Sequence, residues 1–68
     1  MKIAIYNENC VRAGEQCFDE EMIERESNDI TIYEGTEAEI AATALILSEN
    51  AKTSYDRKRA QTLMEAVS

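Results

Sequence analysis

The stretch from Phe18 to Asp29, FDEEMIERESND, places six carboxylates and a single arginine in twelve positions. Carboxylates at that density can hold a cation, work as an acid–base pair, or present a negative surface. The cation reading fails on pattern. A calcium loop of the D-x-[DN]-x-[DN]-G type needs a glycine at its sharp turn, and no glycine lies in this stretch. A glycosidase-like pair needs a cleft that holds two acids apart, and 68 residues are too few to frame one. Cys10 and Cys17 are spaced C-x6-C with no histidine in the chain. Zinc sites group four ligands, commonly as closely spaced cysteine pairs, and a Cys–His nucleophile is impossible without histidine. No phosphate-binding glycine loop or G-x-S-x-G elbow is present. The residues therefore predict a non-enzymatic protein with no catalytic residues, no metal and no cofactor.

What remains is the surface. Residues 8–39 carry eleven acids against Arg12 and Arg25, a net charge of −9, whereas residues 1–7 and 40–68 each carry +1. Such polarity excludes nucleic acid as a direct partner, because phosphate backbones are bound by displacing counterions with Lys and Arg. It favours basic protein surfaces and speeds encounter with them in a salt-dependent way. Asp19, Glu20, Glu21, Glu24, Glu26, Asp29, Glu34 and Glu37 are the candidate partner-binding residues. The bland alternative is a solvated acidic face that favours solubility. Arg57-Lys58-Arg59 reads either as a solvated helix face or as a clamp on an acidic patch. Tyr6 and Tyr33 are expected to pack against the sheet.

The elements that must position these charges are short. One small domain, 1–68, is expected, with 1–35 mainly sheet and acidic and 36–68 helical. KIAIY (2–6) and ITIYE (30–34) alternate and are rich in strand formers. CVRAGEQCF (10–18) reads as a second strand, with Gly14 marking a bulge or a close backbone approach. Residues 19–26 are ambiguous. Their glutamates favour helix, while the Ser27-Asn28-Asp29 turn before ITIYE favours a hairpin; the strand reading is adopted. Thr36-Glu37-Ala38-Glu39 is a capping box that opens a helix over 37–50. Ile40, Ala44 and Leu47 share one face of it, and Ala42 and Ile46 fall on the far side, a possible dimer or helix-packing seam. Thr53-x-x-Asp56 or Ser54 starts a last helix carrying Ala60, Leu63, Met64 and Val67 at helical spacing, with Arg57–Arg59 in its first turn. A single helix over 37–67 is the alternative. The fold class is α+β, a small antiparallel sheet of about three strands followed by two C-terminal helices.

MKIAIY is too short for a signal-peptide core, and the apolar run IAATALIL, at eight residues, cannot cross a bilayer. A cytoplasmic protein with reduced thiols and no membrane partner is expected. A small acidic chain with an acidic sheet half and no catalytic motif resembles the phage-encoded anti-CRISPR proteins and nucleic-acid mimics such as uracil-DNA glycosylase inhibitor. FDEEMIERESND and YEGTEAE are the stretches that look like the mimicry surface. The resemblance implies an inhibitor, in the bacterial host cytosol, that occupies the basic nucleic-acid-binding surface of a CRISPR effector or another nucleoprotein complex. The competing class is a structural or regulatory interaction module, antitoxin-like or an adaptor, that dimerises through the apolar helix. Monomer and homodimer are both open on these grounds.

Overall fold

A computed structural model describes all residues, 1–68. Strands β1 (Lys2–Tyr6), β2 (Gln16–Cys17) and β3 (Ile30–Glu34) form one sheet in the order β2-β1-β3, with both pairings antiparallel. Helix α1 (Glu20–Arg25) and a 3₁₀ turn (Ser27–Asp29) link β2 to β3, and helices α2 (Glu37–Glu49) and α3 (Ser54–Ala66) complete the chain. The expected α+β order of a three-stranded antiparallel sheet and two C-terminal helices is observed. No helix is long and apolar enough to cross a membrane.

The central strand is apolar on both sides, and both sides are covered. Ile3 and Ile5 pack with Ile40 and Ala44 of α2 and Leu63 of α3. Ala4 and Tyr6 pack on the other face with Cys17 and Ile30, against which Met22 and Ile23 of α1 and Cys10 lie half-buried. Every residue from Ile3 to Tyr6 is thereby buried, as befits a strand between two layers. Cys10 and Cys17 are free thiols.

Three expectations need correction. Residues 20–25 are helix, not strand. The Asp19 carboxylate accepts the amides of Glu21 (3.0 Å) and Met22 (3.3 Å), and Glu20 and Glu21 lie at the positive end of the first turn. Met22 and Ile23 are adjacent, so a strand would send one to each face; in the helix both lean on the sheet. Second, the strand expected over 10–18 shrinks to Gln16–Cys17, preceded by turns over Asn7–Glu15. Gly14 explains the break. Its φ of +84°, its amide donated to the Tyr6 carbonyl, and the Tyr6 amide donated to Glu15 make a glycine bulge opposite Tyr6. Third, Arg57–Arg59 follow the first turn of α3 rather than occupying it. Thr53 is the N-cap and accepts the Asp56 amide (3.1 Å), which places an acid, not a base, near the positive helix end.

The capping box of α2 is formed as expected. Thr36 Oγ1 accepts the Glu39 amide (3.1 Å) and Glu39 Oε1 accepts the Thr36 amide (3.0 Å). The Thr36 amide, donated to the carboxylate, and the Thr36 hydroxyl beside it hold the Glu39 carboxyl below its ordinary pKa. The Lys52 amide, donated to its carboxylate, does the same for Asp56, helped by Arg59. A carboxyl depressed in the folded state adds stability that is present above its unfolded pKa and lost as pH falls through the folded one. Thr36→Ala should cost about 1 kcal/mol at neutral pH. The cost should shrink as pH falls through the depressed folded-state pKa of Glu39, where its carboxylate takes up a proton. Urea titrations of both proteins at neutral and acid pH measure this. An equal cost at both pH values would assign it to the Thr36 Oγ1–Glu39 amide bond, which does not titrate, and not to the Glu39 carboxylate.

Candidate functional site

All eight acids singled out from the sequence are exposed, but they do not form one patch. Asp19, Glu20, Glu21, Glu24 and Glu26 belong to α1 or its caps, and Asp29 closes the 3₁₀ turn that follows. Glu34 ends β3, directly across from Lys2, and its place in the strand alternation puts it on the α1 side of the sheet. Glu37 opens α2, which packs on the opposite side. Seven acids therefore share the α1 side, and Glu37 stands apart.

None of the eight makes an ion pair. The two salt bridges of the molecule join Arg12 to Glu15 (3.3 Å) and Arg59 to Asp56 (3.2 Å). Nor do any three acidic or thiol side chains converge as the ligands of a metal ion would. Like charges one turn apart, as at Glu20 and Glu24, disfavour an isolated helix by a few tenths of a kcal/mol. A basic surface laid against α1 would relieve that repulsion.

Of the basic cluster on α3, Arg59 alone is engaged internally, while Arg57 and Lys58 are exposed and make no ion pair. Arg59 Nη1 donates to the Tyr33 hydroxyl (3.2 Å), Nη2 pairs with Asp56, and the guanidinium lies 5.3 Å from the Tyr55 ring centre. Burial alone would lower the Arg59 pKa, but its Tyr33, Tyr55 and Asp56 neighbours more than offset that and raise it. Arg59 is thus a clamp, but on β3 and its own helix rather than on the acidic segment. Tyr33 packs as expected against the sheet–helix core, and Tyr6 is buried, its hydroxyl 3.4 Å from Met22 Sδ.

The apolar groups beside the acids escape the sequence reading. Phe18, 81% exposed, and Ile32, 43% exposed, line a cleft of about 440 Å³ together with Ala4, Cys17, Ile23 and the acids Glu20 and Glu24. Phe18 and Ile23 hold the N′ and N4 positions around the Asp19 cap, the places of a hydrophobic staple. The available signal was the chain's only phenylalanine standing immediately before a run of acids. Ala42 and Ile46, the expected seam, are exposed on α2, with Ile46 at 59%. Leu45 turns instead toward α3, where it lines a groove with Ala60 and Met64.

Comparison of the chain with protein-family models, curated proteins and solved structures found no match.

Proposed function

We propose that the protein is a non-enzymatic inhibitor whose α1 face occupies a basic nucleic-acid-binding surface of a nucleoprotein complex, with a CRISPR effector as the target class. The observation that carries this reading is the unpaired state of the acids on one side of the sheet: seven exposed carboxylates without an ion-pair partner. Charge-assisted hydrogen bonds to Lys and Arg are stronger than neutral ones, and carboxylates displayed from a short rigid helix can stand in for backbone phosphates. Nucleic acid itself would be repelled by the same face.

The test is displacement of target DNA from a panel of purified CRISPR effector ribonucleoproteins. The wild-type protein should block at least one effector, more weakly at high salt. Reversal of Glu20, Glu21 and Glu24 to Lys should reduce the potency roughly 100-fold or more, since like charges then face each other across the interface. All three side chains are exposed and none is a cap; because Lys at 20 and 21 opposes the helix dipole, circular dichroism that shows the variant folded accompanies the assay. Inhibition that survives the triple reversal, or a panel that is unaffected throughout, rejects the reading.

A second reading is an interaction module, an adaptor or antitoxin-like protein, that pairs through α2. The exposure of Ile46 beside Ala42 supports it. It predicts a concentration-dependent dimer in sedimentation that Ile46→Glu converts to monomer, and a monomer at all concentrations removes its support.

A further inference from the structure

We propose that the cleft between α1 and the sheet is the anchor site for a basic partner segment that carries an apolar side chain between its Lys or Arg residues. The proposal rests on the basic-partner reading above and adds the feature that would set specificity. Helix α1 has six residues, about 9 Å at 1.5 Å per residue, too short to roof its side of the sheet. It covers the end bearing Tyr6 and Ile30 and leaves Ile32 and Phe18 open. The floor is apolar, made by Ala4, Cys17 and Ile32, and the wall is Ile23 and Phe18. Glu20 and Glu24, one helical turn apart, form the rim. Lys2 also borders the cleft and is offset by Glu34 opposite it in the sheet.

Charge decides the occupant. An acidic or phosphate-bearing ligand would meet Glu20 and Glu24 at the mouth, and a second copy approaching by its own α1 face would oppose like charges. A purely apolar peptide would bury the floor and leave both carboxylates without partners. A segment with a leucine-sized side chain flanked by cations satisfies both parts, with the anchor in the cleft and the cations on the rim. The neighbouring edge of β3 favours an extended segment. Asn7 N donates to Asp29 O and Gly35 N to Met1 O, which sets the phase of the ladder. By alternation, the amides and carbonyls of Ile30, Ile32 and Glu34 then point away from β1. These groups are free to pair with an added strand.

Two synthetic peptides of equal charge, KRKLKRK and KRKGKRK, test the proposal by calorimetry at low salt on the full chain. The leucine peptide should bind about tenfold more tightly. Ile32→Ser and Phe18→Ser should each bring that advantage below about threefold while leaving the affinity for the glycine peptide unchanged. In the wild-type protein, amide NMR shifts caused by the leucine peptide should centre on Ala4, Cys17, Ile23 and Ile32, a readout that needs no variant to fold. Equal affinity for the two peptides, or shifts centred on Leu45 and Met64, overturns the cleft and leaves the acidic-surface reading standing. Absence of binding by either peptide overturns both. A dimer of the protein alone that Ile32→Ser dissociates would assign the cleft to a second copy and overturn the proposal.

Discussion

Leu63→Ala should remove about 3 kcal/mol of stability, roughly a third or more of what a domain of this size has. Leu63 is fully buried and belongs to the cluster formed by Ile3 and Ile5 of β1, Ile40 and Ala44 of α2, and itself. It is the one large side chain by which α3 enters that cluster; Ala60, the other buried residue of α3, is not part of it. Truncating a buried leucine costs about 2–5 kcal/mol, from lost transfer energy and from the cavity left behind. A chain of 68 residues has roughly 3–10 kcal/mol in total, at about 0.05–0.15 kcal/mol per residue. Urea unfolding followed by circular dichroism measures the loss. Two companions make it specific. Leu63→Met keeps the volume and should cost less than about 1.5 kcal/mol. Met64→Ala, next in sequence but exposed, should cost well under 1 kcal/mol. Equal costs at 63 and 64 would mean that α3 is not docked through this face.

The elements that were legible in the sequence are those in which local and tertiary preferences agree. Thr36 and Glu39 satisfy each other across three residues, so the start of α2 needs no information from elsewhere. The same holds for Thr53 and Asp56 at α3, and for the two five-residue strands, whose alternation survives in the register Ile3 to Tyr33 and Ala4 to Ile32. Residues 19–26 were misread because two local signals conflict. The turn before ITIYE reads as a hairpin, but it is the 3₁₀ exit of a helix that crosses one face of the sheet. The hint lay in β1. Ala4 and Tyr6, like Ile3 and Ile5, carry no charge and are buried, and a strand without a charged face needs a cover on both. The segment 20–25 supplies most of the second cover through Met22 and Ile23, with Cys10 beside them.

The candidate site was legible in its charges and illegible in its shape. Acids at 19, 20, 21, 24, 26 and 29 reach one side of the molecule because a single short helix and its flanking turns carry them all. Glu37, only three residues past Glu34, is carried to the other side because β3 ends and the chain turns at Gly35 into a helix packed on the opposite face. Proximity in sequence misleads there. The cleft could not be read at all, since it joins Lys2, Gln16, Phe18, Ile23 and Ile32 from four separate segments. No spacing rule connects residues whose meeting depends on which strand lies at the centre of the sheet.

Gly14→Ala should lower stability by about 2–3 kcal/mol, a large effect for one methyl group, because Gly14 is buried in the loop beneath α3. Two costs combine. At φ +84° an L-residue with a Cβ loses about 1–2 kcal/mol relative to its preferred conformations. The added Cβ would also stand 2.5 Å from Lys58 Cγ and 2.9 Å from Lys58 Cβ, near the root of that side chain, where it cannot swing clear without moving α3. That movement would pull on the bond from Thr62 Oγ1 to the Gly14 carbonyl (2.7 Å), which ties α3 to the bulge. At about 4–8 °C per kcal/mol for a domain of this size, the midpoint of thermal unfolding should fall by roughly 10–20 °C. The two costs separate in a Lys58→Ala background. Removing Cγ relieves the closest contact, so Gly14→Ala should there cost nearer to the conformational 1–2 kcal/mol alone, and the double-mutant cycle should show a coupling of about 1 kcal/mol. An additive cycle would mean that the bulge, not its contact with α3, requires the glycine. A neutral Gly14→Ala would contradict both the bulge and the docking of α3 upon it.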